Sequence, residues 1–117
     1  MVLELPARQF ILEAVPVRNM NFLYTYVLQS RKDSMWYTGY TKDLRKRVME
    51  HNKGLVYATS KRRPLGLIYY EACMYERDAK MREQYLKSGP GKRYVKNRLK
   101  FFFANTEISN GAAPISI

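Results

Sequence analysis

Two short aromatic-rich runs lie close together in the chain, and they constrain its fold more than any other feature. Phe22–Leu28 is a run of apolar and aromatic residues, and Trp36–Tyr40 is a second. Only Ser30-Arg31-Lys32-Asp33-Ser34, which is turn material, stands clearly between them. Runs of this length and composition read as strands. A connection this short makes them antiparallel, because a parallel pair needs a crossover of a dozen or more residues. Alternation places Phe22, Tyr24, Tyr26 and Leu28 on one face of the first strand. In the second, Tyr37 and Gly39 share a face opposite Trp36 and Thr38, and Gly39 leaves room for another backbone or a ligand.

The elements that follow are legible. Thr41 reads as the N-cap of a helix, with Asp43 in its first turn, where the helix dipole favours a carboxylate. That helix runs to about Asn52 and stops at Gly54. A basic loop, Lys61-Arg62-Arg63-Pro64, leads to a third strand at Leu67–Ala72. Glu76 and Asp78 open a second helix that ends near Ser88. Gly89-Pro90-Gly91 breaks the chain, and a third helix covers roughly Arg93–Phe102. The order β-β-α-β-α-α predicts an α+β fold, a small three-stranded antiparallel sheet flanked by about three helices. At 117 residues the chain has room for one domain. Residues 21–103 are expected to form it. Met1–Asn19, with Pro6 and Pro16 among short apolar pieces, reads as part of an N-terminal extension over 1–20, and Met20 is a candidate for the true start. Residues 104–117, with Asn110-Gly111 and Pro114 and no periodicity, read as a flexible tail.

The charge is concentrated in the middle. Lys and Arg number 21 against 10 acidic residues. Residues 1–19 sum to zero and 104–117 hold only Glu107, so 20–103 carries 19 basic and 7 acidic groups. A basic unit with neutral ends points to a polyanionic partner, nucleic acid before anionic membrane. Cys73 is the sole cysteine, which excludes a disulfide framework and a thiolate zinc cluster. The apolar runs fall far short of the ~20 residues that span a bilayer, and residues 1–19 lack the pattern of a signal peptide. Cytoplasmic residence is the expectation.

Several polar residues fall on faces that ought to be apolar. In the first helix Leu44, Val48 and Leu55 mark the apolar stripe, and Arg47 and His51, four apart, share a face that overlaps it. An arginine facing a core is costly unless an anion meets it. In the second helix Tyr75, Ala79 and Leu86 define an inner face, and Glu83 falls on it. A carboxylate there either pairs with an internal base such as Arg47 or binds a metal. Taken alone, a histidine such as His51 is more often a satisfied core or surface residue than a catalytic one, and sheet tyrosines are usually packing; Arg47 beside His51 shifts the reading towards a site.

These residues, in this order, resemble the GIY-YIG nuclease family, small stand-alone bacterial type. Tyr24-Thr25-Tyr26, ten intervening residues, and Tyr37-Thr38-Gly39 are similar to its paired strand motifs. Tyr40 to Arg47 with His51-Asn52-Lys53-Gly54 resembles the helix that follows, Leu67 to Glu71 the third strand, and Ala79 to Lys87 the helix carrying the metal carboxylate. The resemblance covers about residues 21–102. It implies that Tyr26 and Tyr37 position or deprotonate the attacking water, that Arg47 contacts the scissile phosphate, and that His51 assists proton transfer. It also implies that Glu83 is the sole protein ligand to a divalent metal, Mg²⁺ or Mn²⁺. Tyr24 replaces the glycine of the first motif. Members often carry an asparagine after the metal helix, for which Asn97 is the nearest candidate. No added DNA-recognition domain is evident.

The expected function is therefore one-metal hydrolysis of nucleic-acid phosphodiester bonds, with structure-directed DNA as the expected substrate, as in repair or recombination. Lys61, Arg62, Arg63, Lys92 and Arg93 would track the backbone, which gives affinity without reading sequence. A tyrosine, ordinarily titrating near ~10, acts as a base only where nearby cations lower that value. The alternative is a non-catalytic DNA- or RNA-binding module of the same fold, for which basic charge and tyrosines would serve equally.

Overall fold

The computed structural model describes residues 20–108. The extension over 1–19 and the tail beyond 108 lie outside the described residues. Strand β1 (Leu23–Ser30) lies at the centre of a three-stranded antiparallel sheet, between β2 (Trp36–Thr41) and β3 (Leu65–Cys73). The helices are α1 (Leu44–Asn52), α2 (Glu76–Lys87), α3 (Gly89–Arg98) and α4 (Lys100–Ile108), with a single 3-10 turn at Tyr57–Thr59. The expected α+β architecture is the observed one.

Alternation along β1 divides the core into two layers. Tyr26 and Leu28 pack with Leu65, Leu67, Tyr37 and the α1 residues Leu44 and Val48. Val27, on the other face, packs with Leu86 of α2 and Val95 of α3, joined by Trp36, Ile68, Tyr69 and Leu99. A bulge in β3 changes the phase between these layers. Leu28 opposes Leu67 and Val27 opposes Tyr69, so Ile68 is the extra residue. Without it, Leu67 and Tyr70 could not both lie on the α1 side.

Several local expectations are corrected. The N-cap of α1 is Asp43, whose carboxylate accepts from the backbone N–H of Lys46, while Thr41 Oγ1 accepts from the N–H of Asp43. A carboxylate that reaches the third residue onward outcompetes the earlier threonine. Leu55 is not part of the stripe: it lies beyond α1 and is 70% exposed. Tyr75 caps α2 and is also exposed, leaving Ala79 and Leu86 as its inner face.

Gly89-Pro90-Gly91 does not break the chain but opens α3. Ser88 is its N-cap, accepting from the Gly91 N–H, and Pro90 sits in the first turn, where its missing N–H is no loss. Gly91 is buried against the backbone of Tyr85 and Leu86, and any Cβ there would collide with it. The helix expected over Arg93–Phe102 is instead divided at Leu99, and α4 carries on through Ala104 to Ile108, the start of the expected tail.

Candidate active site

The α1 side of the sheet contains a buried polar chain, which is unusual for a core so small. Tyr26, 1% exposed, projects from the central strand toward β2. A Cβ placed on Gly39 would come within 2.6 Å of the Tyr26 hydroxyl. The gap expected at Gly39 is thus filled by the chain's own phenol. The Tyr26 hydroxyl is 2.9 Å from Nε2 of His51, and Nδ1 of His51 is 2.7 Å from the hydroxyl of Thr59. His51 and Thr59 are both 0% exposed. Among the described residues no buried side-chain polar atom lacks a partner, which removes the usual penalty for burying such groups.

The direction of these hydrogen bonds follows from their members. Arg47 sits beside the Tyr26 oxygen and can only donate. The phenol proton is then directed at Nε2 of His51, and the imidazole proton resides on Nδ1, donating to Thr59 Oγ1. Thr59 in turn donates to the carbonyl of Val56 across a long 3.5 Å. The sequence put Arg47 and His51 on one helix face, and the family resemblance added Tyr26 to the site, but neither gave any hint of Thr59. It lies eight residues after His51, in the 3-10 turn, and looks like an ordinary loop threonine.

The electrostatics of the centre are set by burial. Desolvation pushes the Tyr26 hydroxyl up to about 12; Arg47 pulls it down, while Tyr37 and Glu83 push it up. Cations were expected to lower this value, and Arg47 does act that way, but burial outweighs it. His51 is pushed down to about 4, chiefly by burial and then by the positive charge of Arg47. It is a neutral acceptor across the physiological range. Tyr37 stands beside the pair, with its ring centre 5.0 Å from that of His51 and 6.5 Å from that of Tyr26.

Glu83 comes from α2, which packs on the other layer, yet it is close enough for its charge to act on Tyr26. Its carboxylate is 19% exposed and pairs with Lys87 on the same helix at 3.2 Å. Arg47 likewise pairs within its own helix, with Glu50 at 2.9 Å. The internal Arg47–Glu83 pair allowed by the sequence is not made. Among the described residues no three His, Cys, Asp or Glu gather into a cage for a metal. A single partly exposed oxygen donor does suit a hard cation that keeps waters and takes further oxygens from a phosphate.

The expected backbone-tracking residues fall in two places. Lys61 and Arg63 line a shallow cleft with Lys32, Asn52, Ser60 and Pro64, while Arg62 is held by Asp33 at 3.2 Å and donates to the Trp36 carbonyl. Lys92 and Arg93 are exposed on α3, as is Asn97. No described helix is long and apolar enough to cross a membrane.

Comparison with known proteins agrees with this arrangement. The GIY-YIG catalytic domain matches residues 22–100. The chain is 47% identical over 66 residues to the UPF0213 protein YazA of Bacillus subtilis, covering 55% of this chain and 65% of that protein. It is 40% identical over 65 residues to the UPF0213 protein CPE1444 of Clostridium perfringens, covering 55% and 69%. A UPF0213 protein of Pediococcus acidilactici is 41% identical over 83 residues, covering 66% and 84%. The chain therefore spans about two thirds of the first two relatives, whose names state no activity. No solved structure matches it. With the domain matching from the first strand to the start of the last helix, this chain belongs to the GIY-YIG family, the nuclease superfamily that its paired strand motifs resemble.

Proposed function

We propose that this protein hydrolyses phosphodiester bonds in nucleic acid, structure-directed DNA in the cytoplasm, with the aid of one divalent cation. The observation that carries the reading is the Tyr26 hydroxyl, bonded to the neutral acceptor His51 and beside the donor-only cation Arg47, with the charge of Glu83 also acting on it.

A phenol held near 12 cannot supply much free phenolate at neutral pH. It has no need to. The Tyr26 oxygen takes a proton from the attacking water as its own proton passes to Nε2 of His51, which starts neutral. Thr59 keeps the imidazole in the tautomer that leaves Nε2 free. Tyr37, beside the pair, helps place the water. Arg47 exchanges its partly exposed bond to Glu50 for the phosphate, where its fork of donors offsets the charge that develops on the equatorial oxygens. Glu83, freed from Lys87, would hold the cation, Mg²⁺ or Mn²⁺. When bound, that ion supplies Lewis-acid stabilisation of charge on a phosphate oxygen.

A nicking assay on supercoiled and branched DNA with Mg²⁺ or Mn²⁺ tests this, comparing wild type with Glu83→Ala. The expected result is cleavage by wild type only, with both proteins binding DNA. If neither cuts while both bind in a salt-dependent manner, the chemistry is absent and a binding module of the same fold is the correct description. The tie between Glu83 and Lys87 is the observation that would favour that outcome.

A further inference from the structure

Away from the polar chain, on the α3–α4 side of the hairpin, lies a second cleft, of about 660 Å³. One wall is apolar. Met35 is 63% exposed, and the indole of Trp36 stacks on the ring of Phe103, with centres 5.8 Å apart and planes 14° from parallel. The rim carries Lys92, Lys96 and Lys100. These lysines recur every fourth residue, so they run along one side of α3 and into α4. All three are exposed, and none has an ion-pair partner among the described residues. No residue of the Tyr26 centre lines this cleft.

We infer that this cleft binds an unpaired single-stranded segment of nucleic acid, with a base against the Met35–Trp36 wall and phosphates on the three lysines. Charge decides the class of ligand. Three exposed ammonium groups along one rim, none of them in an ion pair among the described residues and one, that of Lys100, over the Phe101 ring at 5.3 Å, suit a repeating anion, and an aromatic wall beside them suits a base, since stacking is indifferent to which base it meets. An anionic membrane would meet the lysines but does not account for a stacked aromatic pair set inside a cleft. The position relative to the Tyr26 centre adds to the case. Strand β2 is an edge strand whose alternation sends Tyr37 toward His51 and Trp36, its immediate neighbour, into this cleft. A strand parting from a duplex near the Tyr26 centre would need to pass only one edge strand to reach the lysines. The inference rests on the nucleic-acid part of the function proposed above but not on its chemistry.

Trp36 is the only tryptophan in the chain, so selectively excited fluorescence reports on this cleft alone. The experiment titrates a single-stranded oligonucleotide into the full-length protein with a chelator present, so that cleavage plays no part. Fluorescence anisotropy of a labelled oligonucleotide runs in parallel. The expected result is a saturating change in Trp36 emission that follows the anisotropy. In Lys96→Glu the salt dependence should be shallower by about one unit of slope and affinity lower by roughly tenfold, while Lys53→Glu changes affinity by less than about twofold. Both lysines are exposed, so neither reversal threatens the core. Binding without a change in Trp36 emission overturns the inference. So does equal weakening by the two variants, or an emission change with anionic vesicles and none with the oligonucleotide. A failed nicking assay leaves these readings untouched, and their failure leaves cleavage of plain duplex untouched.

Discussion

The two faces of the sheet each carry a network of polar and aromatic side chains, and the networks are finished to different degrees. On the α2–α3 side, Arg82 holds Glu71 with two hydrogen bonds of 2.8 and 2.7 Å and lies over the rings of Tyr85 and Tyr94. Tyr69 donates to the same carboxylate at 2.9 Å. The two charges of this network, Glu71 and Arg82, come from different elements and meet in the bidentate geometry that makes such pairs strong. On the α1 side, the buried part is just as complete, from Tyr26 through His51 to Thr59. Its charged members are not. Among the described residues Arg47 and Glu83 form ion pairs with neighbours three and four residues away on their own helices, and such partly exposed pairs within one helix contribute on the order of 1 kcal/mol or less. A network closed on itself holds the fold together. One whose charges are weakly held at its mouth can release them to a ligand at little cost.

The comparison breaks most visibly at Tyr26. We expect Tyr26→Phe to lower cleavage by roughly 10²–10⁴-fold, the usual weight of a general base. Glu71→Gln should leave the cleavage rate unchanged and cost stability instead, by about 1 kcal/mol once solvent screening of the half-exposed Arg82 is allowed for. Rate and denaturant midpoint, measured on both variants, check this crossing. If Glu71→Gln reduced cleavage as Tyr26→Phe does, the two faces would not be functionally separate.

Acid sharpens the contrast next. The folded His51 titrates near 4, below its ordinary 6.5, so the unfolded chain takes up this proton first. The stability His51 contributes is therefore fully present above pH 6.5 and lost as the pH falls toward 4, by up to roughly 3 kcal/mol. Glu71, held below the usual carboxylate range chiefly by Arg82, acts in the same direction at lower pH. Because the chain has one histidine, its imidazole NMR resonance isolates the His51 share. A titration midpoint at the ordinary value would mean that the ring is open to water and the polar chain is not formed.

Gly39→Ala tests how tightly that chain is built. The new Cβ would lie 2.6 Å from the Tyr26 hydroxyl and 2.9 Å from its ring carbon Cζ, so the phenol must shift away from His51. We expect a loss of about 1–3 kcal/mol in denaturant stability, together with reduced cleavage. Wild-type stability in this variant would show that the phenol is free to move. The smallest effect belongs to Lys87→Ala. Removing an exposed partner of Glu83 should change stability by less than about 0.5 kcal/mol. Half-maximal cation concentration in the nicking assay should fall, since Glu83 no longer has to leave Lys87.

The sequence determined more of this molecule than its length would suggest. The short link between Phe22–Leu28 and Trp36–Tyr40 required an antiparallel hairpin, and alternation put Tyr26 on one face of the first strand and Tyr37 with Gly39 on one face of the second; the register that sets Tyr26 against Gly39 came with the structure. Helical spacing put Arg47 and His51 on one face and set Glu83 between Ala79 and Leu86. These are periodic properties of local backbone, and a sequence displays them directly. What depends on packing between distant elements was not legible. The Ile68 bulge resets the phase of β3 because β1 demands different partners on each layer, and no residue type announces it. Gly89-Pro90-Gly91 opens a helix rather than ending one because Ser88 caps it and Gly91 must lie flush on the end of α2. Thr59 completes the polar chain only because the 3-10 turn carries it over His51. Burial decides the rest: it drives Tyr26 up against the pull of Arg47 and drives His51 down with the help of that same charge, and only the tertiary structure says how much water reaches either group.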